Sequence, residues 1–337
     1  MLLDDDLIEF HPVIGKRMRP GIRRELTHPE WGKYVLQANN FGFRSSHNYS
    51  PTKGNNIQRI LIFGDSNVFG NGVSNDMRFP DILENLIPHV EVYNFAMEGF
   101  ALDQQYLCYQ EIGIDFKHDL IIIAPAIETI RKLTTHYEVT LDEHGAQKCY
   151  ARPYFDLVDG KLIRGNIPLP GGYIDMENLP KTEKAKVHRG NPFAKVGDLL
   201  QKARLKDALL ERMQYQPFPE YDSPNTPTWQ IMSAILTEWV AHSPKPVLVI
   251  PLPRFIYVKE LASAKNYQAR FQEVASETSC FLYDPLPDIQ KLSIAERRKM
   301  YYLEGHLTPQ GHSLMAKIIA PHIQNIMKNP QTNTSGL

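Results

Sequence analysis

Five short runs of this chain are apolar at nearly every position. They are residues 57–63, which end at Gly64, then 90–95, 119–124, 246–251 and 280–284. A strand with one wet face alternates apolar and polar residues. Runs without that alternation suit strands covered on both faces, as in a parallel sheet. Between the runs the period shifts towards that of a helix. Helices are expected from Phe79 to Ile87, from Leu102 to Ile112 and between Val258 and Thr278. Thr226-Pro227 and Thr308-Pro309 each read as an N-cap followed by proline at the first helical position. Trp229, Met232, Ile235, Leu236 and Trp239 then share one face, and Leu314, Ile318 and Ile319 another. Strands alternating with helices predict an α/β protein with a doubly wound, five-stranded parallel sheet between helical layers.

The pattern also divides the chain. Residues 1–56 are rich in Pro, Asn and Arg with weak periodicity, and are expected to be an irregular lead-in packed on the main domain at 57–328. Residues 136–225 break the strand–helix rhythm. Nine of the chain's 25 prolines fall in 151–230, and Asp159-Gly160 and Gly171-Gly172 mark turns. This stretch reads as an insertion or cap. It holds one helical pattern, residues 193–213, with Lys202, Arg204, Lys206 and Arg212 on its polar side. That basic amphipathic face is either simply solvated, or a lid or contact with an anionic surface. Residues 329–337 read as a disordered tail.

Composition narrows the function classes. The chain has 337 residues, 42% apolar and 22% charged, ordinary values for a globular protein able to bury a large core. Lys plus Arg number 37 and Asp plus Glu 38, a net charge of −1, which excludes a uniformly basic nucleic-acid binder. The three cysteines, Cys108, Cys149 and Cys280, are far apart and form no Cys-x-x-Cys, so neither a disulfide framework nor a thiolate zinc site is expected. The twelve histidines show no metal-ligand spacing. The N-terminus is acidic, and no run of ~18 apolar residues exists to span a bilayer. A cytoplasmic protein without metal or cofactor is the expectation.

The candidate chemistry lies in two places. Gly64-Asp65-Ser66 follows the first buried run, so Ser66 emerges at the carboxyl edge of a parallel sheet, where open α/β folds place ligands. The turn or helix that follows offers free N–H groups to negative charge. Far along the chain stands Glu304-Gly305-His306, six residues before His312. Serine needs a base to become a nucleophile, and histidine needs an acceptor to fix its tautomer. Taken together, Ser66, His306 and Glu304 are the candidate catalytic set, with Asp65 as a structural neighbour.

These residues resemble those of the SGNH, or GDSL, hydrolase family. Gly64-Asp65-Ser66, within Phe-Gly-Asp-Ser-Asn-Val-Phe-Gly-Asn-Gly-Val, is similar to its first block. The segment from Asn94 to Phe100, with Gly99, is similar to the second, and Glu304-Gly305-His306 to the fifth. Asn40-Phe-Gly42-Phe-Arg44 resembles a lead-in motif of bacterial members. The similarity runs from about residue 39 to 326, with 136–225 poorly matched. It implies a flavodoxin-like α/β/α fold. The same resemblance implies that Ser66 attacks an ester or thioester carbonyl, that His306 moves the proton and that Glu304 orients His306. The N–H groups of Ser66 and Gly99 hold the oxyanion.

Two positions depart from the family pattern. The acid lies two residues before the histidine, and it is Glu304 because position 303 is Leu. The third block has no Asn as oxyanion donor; Glu128 or Thr129 takes its place, and the Thr129 hydroxyl is the candidate third donor. Asn67, Phe100, Glu128 and Arg131 complete the candidate substrate-contacting set. Arg131 alternatively belongs to a surface helix, and Met97 and Phe100 to the core. Arg44 is expected to be structural, or to pair with an acidic group. The resemblance implies a serine esterase that removes a small O-acyl group, acetyl being the family's expectation, from a carbohydrate or similar metabolite. Two alternatives stay open: an O-acyltransferase using the same acyl-enzyme, and a binding or assembly protein that keeps the fold without the activity.

Overall fold

The computed structural model describes residues 6–28, 30–141, 147–179, 181–187 and 216–330. The lead-in is not irregular. It forms two antiparallel hairpins, β1 (Ile8–His11) with β2 (Gly15–Met18) and β3 (Arg23–His28) with β4 (Gly32–Gln37). Their strands are four to six residues long and mostly half-exposed or exposed, so they carry no clear alternating stripe. What fixes them is a few anchors: Met18, Tyr34 and Leu36 are buried in the main core.

The apolar runs form one parallel sheet. β5 (Gln58–Gly64) leads through α1 (Ser66–Phe69) and α2 (Phe79–Leu86) to β6 (Val90–Asn94). α3 (Leu102–Glu111) then returns the chain to β7 (Leu120–Ala124), which is followed by a 3₁₀ helix, Ile127–Thr134. β5 pairs with β6 through Ile60↔Val92 and with β7 through Ile60↔Leu120. Ile60, Leu61, Ile62 and Phe63 are each 0% exposed, which is why this run could not alternate.

After β7 come β8 (Tyr137–Leu141) with β9 (Gln147–Ala151), and β10 (Tyr154–Val158) with β11 (Lys161–Gly165). The second hairpin turns on Asp159 and Gly160, both at positive φ (49° and 74°), as a two-residue hairpin loop requires. α4 (Lys181–Val187) ends the first part of this insertion. The helix expected at 193–213 and most of the expected tail, residues 331–337, lie outside the described residues.

The chain re-enters the main domain through α5 (Pro227–His242), β12 (Val247–Val249), α6 (Phe255–Val258), α7 (Lys265–Glu277) and β13 (Phe281–Leu282). It ends with α8 (Leu286–Gln290), α9 (Ile294–Lys299) and α10 (Pro309–Lys328). β12 is shorter than its apolar run because Pro246 and Pro251 bound it. Strand order is β13-β12-β7-β5-β6, all parallel. α2 packs with α10, while α5 packs against both α3 and α7. Helices flank this five-stranded parallel sheet, the α/β/α arrangement expected from the sequence pattern. The first sheet strand has a later strand on each side, so the order reverses there, and the loop after β5 lies at that switch point.

Candidate active site

Ser66 owes its place to a tight strand-to-helix turn. A Cβ on Gly64 would lie 2.1 Å from a Val68 methyl, so only glycine lets α1 fold back so closely on β5. Asp65 caps the helix, its Oδ1 accepting the Asn67 N–H at 2.9 Å. Arg44 holds the other end. It is fully buried, and one guanidinium nitrogen donates to the carbonyls of Phe69 and Gly70, while Nε donates to Asn75 Oδ1 at 2.8 Å. The acidic partner considered for Arg44 is therefore replaced by carbonyls at the C-terminus of a four-residue helix.

His306 enters from a separate turn. The Tyr302 N–H donates to the His306 carbonyl at 2.8 Å, and Gly305 stands at φ 103° between them. Two residues on, Thr308 Oγ1 accepts the Gly311 N–H at 3.1 Å and starts α10. His306 Nε2 lies 2.9 Å from Ser66 Oγ. Its Nδ1 touches Glu304 Oε2. That contact is close but is not aligned as a linear hydrogen bond. His312, in contrast, is a core residue. Its Nδ1 accepts the Phe79 N–H at 3.2 Å, and burial, helped by the charges of Arg44 and Arg78, drives its pKa down to about 3.

A residue unmarked by sequence reasoning completes this group. Trp31, at the tip of the β3–β4 hairpin, donates its indole N–H to Glu304 Oε1 at 3.0 Å. Its ring meets that of His306 edge to face, at 5.8 Å and 89°. The neighbouring Glu30 accepts the Leu303 N–H. Burial pushes the Glu304 carboxyl up, but the adjoining His306 ring and the Trp31 N–H outweigh it and hold the acid below its usual range. Glu304 is thus kept ionised beside the imidazole.

The remaining candidates separate into three groups. Gly99 stands at φ 81°, a region that favours glycine, and Lys132 Nζ donates to its carbonyl at 2.8 Å. Among the described residues, the N–H groups of Ser66 and Gly99 have no protein acceptor. Asn67 is half-buried and keeps an unpaired amide oxygen.

One expectation needs correction, and two open alternatives resolve. The Thr129 hydroxyl donates to the Ala126 carbonyl at 2.8 Å, the usual way a helical threonine spends its proton, so it is committed away from an oxyanion. Arg131 turns to the returning insertion, donating to Glu220 at 2.9 Å and to the Pro217 carbonyl, and stacks over Phe218. Phe100 and Met97 are wholly buried core residues. Likewise Arg152 and Phe155, in the insertion, are buried.

Glu128 stays near the site with one buried, unpaired oxygen, and the other lies 3.2 Å from Arg254 Nη1. Arg254 was also unmarked. Its Nη2 approaches Gly305, where a Cβ would lie 3.3 Å away. Its positive charge offsets the opposition that a bare Glu128 would present to an anion.

Asp65 feels this crowding. Burial, reinforced by Glu128, pushes its carboxyl from 3.8 up to about 7. The unfolded chain releases that proton near pH 4 and the folded protein near pH 7. Over this window the folded state holds a proton that the unfolded state lacks, so stability falls as pH rises, then levels off above it. Asn keeps the oxygen that accepts the Asn67 N–H and never ionises. Asp65→Asn is therefore expected to be more stable than the natural chain at pH 8 by about 2–4 kcal/mol. The gap should close towards pH 4, as urea melts across pH would show.

Among the described residues no three potential metal ligands cluster, the three cysteines are free, and no helix is long and apolar enough to cross a membrane. No protein-family profile and no curated protein matches the chain. Solved structures do match. A member of the lipolytic G-D-S-L family from Veillonella parvula is 12% identical, with 79% of this chain and 98% of that one covered and a TM-score of 0.40. A lipase/acylhydrolase from Enterococcus faecalis is 13% identical, with 80% and 96% covered and a TM-score of 0.41. An acetyl xylan esterase from Geobacillus stearothermophilus is 12% identical, with 81% and 97% covered and a TM-score of 0.42. At these values the likeness carries no argument about chemistry, which has to come from the side chains themselves.

Proposed function

We propose that this chain is a serine carboxylic ester hydrolase of the SGNH type, removing a small O-acyl group such as acetyl from a carbohydrate or similar metabolite. One observation carries the reading: Ser66 Oγ lies 2.9 Å from His306 Nε2, while Glu304 touches the other ring nitrogen. His306 takes the Ser66 proton as Oγ attacks the acyl carbonyl. Glu304 stabilises the imidazolium that forms. The N–H groups of Ser66 and Gly99 receive the oxyanion, and His306 then protonates the leaving alcohol. Water repeats the sequence on the acyl-enzyme and releases the acid. With Thr129 committed elsewhere, the oxyanion rests on two backbone donors. A fluorophosphonate probe should label Ser66, and short-chain esters should be cleaved. A folded protein that does neither would refute the reading.

The committed Thr129 hydroxyl and the unpaired Glu128 oxygen favour one rival, a binding protein that keeps the fold without turnover. It requires that Ser66→Ala leave the biological role intact. Transfer of the acyl group to a sugar hydroxyl would instead show as an ester product dependent on added acceptor.

Trp31 acts on this chemistry through Glu304. Trp31→Phe keeps the aromatic edge on His306 and removes only the N–H. We expect kcat/KM to fall about three- to tenfold, the value of a partly solvated hydrogen bond to a charged group. KM should barely move, and fluorophosphonate should still label Ser66. An unchanged kcat would show that the indole N–H does not position the acid.

A further inference from the structure

Two ammonium groups converge on Gly99. Lys132 reaches it from the 3₁₀ helix after β7, and Lys16 from β2 of the first hairpin. A Cβ built on Gly99 would lie 3.5 Å from Lys132 Nζ and 3.6 Å from Lys16 Nζ. Lys132 is accounted for, since it donates to the Gly99 carbonyl at 2.8 Å and faces Glu138 at 3.7 Å. Lys16 is different. Among the described residues its Nζ has no hydrogen-bond acceptor and no ion-pair partner.

The charges around Lys16 are Glu138 and Glu98, which favour its ammonium, and Lys132 and Arg152, which oppose it. Arg152 is spent on Asp103 at 2.6 Å. Desolvation is the largest influence and lowers the Lys16 pKa. Yet the residue keeps part of its surface open to solvent. A deeply set ammonium is costly unless something pairs with it, and here solvent access leaves room for that partner. The hairpin is also tied down for the purpose: Gln104 Nε2 donates to the Ile14 carbonyl at 3.0 Å, two residues before Lys16.

We infer that Lys16, seconded by Lys132, forms an anion-binding subsite beside Gly99 that takes a carboxylate carried by the ester substrate. This rests on the esterase reading above and adds a substrate class to it: esters with an acidic group near the scissile bond. The acid belongs either to the acyl part or to the alcohol part, and both offer Lys16 the same carboxylate.

Two substrate pairs separate these sources. One is 4-nitrophenyl hydrogen succinate against its methyl ester, with the acid on the acyl side. The other is 4-acetoxybenzoate against its methyl ester, with the acid on the alcohol side. The expected result is a higher kcat/KM for the acid in one pair. Lys16→Met should reduce that acid-to-neutral ratio by about ten- to a hundredfold, the worth of one charge-assisted hydrogen bond. Lys16→Arg should preserve most of it. No acid preference in either pair, or a ratio that Lys16→Met leaves unchanged, overturns the inference while the esterase reading stands. Should Lys16→Met fail to fold, succinate is expected to inhibit the natural enzyme competitively against a neutral ester, and absence of that inhibition overturns the inference. If neither pair is cleaved and Ser66 is not labelled, the esterase reading falls and takes the subsite with it.

Discussion

Ser66→Ala and His306→Ala are each expected to lower kcat towards a short-chain ester by about 10⁵–10⁶-fold, and the double variant by no more than either alone. The reason is the single 2.9 Å contact between Oγ and Nε2. Without the base the hydroxyl is not a nucleophile, and without the hydroxyl the base has no proton to move. Glu304→Gln should cost less, about 10³–10⁴-fold, because an amide leaves the imidazole in place but stabilises neither its tautomer nor its charge. Steady-state rates of the four proteins test this directly. Losses that multiply in the double variant would show that serine and histidine do not act as one unit. A Glu304→Gln protein as fast as the natural one would remove the acid from the relay.

Arg152→Met is expected to destabilise the fold by about 3–5 kcal/mol, the cost of leaving a buried charge without its partner. Arg152 and Asp103 are both almost wholly buried, with nitrogen and oxygen 2.6 Å apart. The same guanidinium donates to the carbonyls of Lys132 and Thr135 and to Gln104 Oε1. One side chain thus rivets the start of the insertion to α3 and to the end of the 3₁₀ helix. Urea unfolding gives the measurement. Adding Asp103→Asn to Arg152→Met should restore a good part of the loss, since the stranded carboxylate is then gone. A single variant within 1 kcal/mol of the natural protein would mean that carbonyls and water replace the pair at little cost.

The sheet was legible because Ile60 to Phe63 and Leu120 to Ala124 are buried on both faces, and such strands cannot hide among polar residues. Ser66, Glu304 and His306 stood out because their signals are local: a strand end, a two-residue spacing and a Thr-Pro cap. The lead-in is hard to read for the opposite reason. Its hairpins are short, carry Arg and Lys on exposed faces, and are fixed by scattered anchors such as Met18 and Leu36. The place of the Thr129 hydroxyl is not legible, because chain order does not say which carbonyl a helical hydroxyl meets. Trp31, Arg254 and Lys16 carried no local mark at all. Each matters only through contacts with segments far along the chain, 273 residues away in the case of Trp31 and Glu304.

That long-range closure bears on how the molecule comes together. The serine turn sits early in the polypeptide, but its imidazole arrives with the segment that leads into α10, and α10 lies against α2 through His312 and the Phe79 amide. Joining ends so far apart is entropically expensive and repaid only once most other packing exists. In the proposed mechanism the hydroxyl therefore gains its base only once α10 docks. A nascent chain cut short before residue 306 carries the whole Ser66 turn but not the imidazole that the proposed mechanism requires.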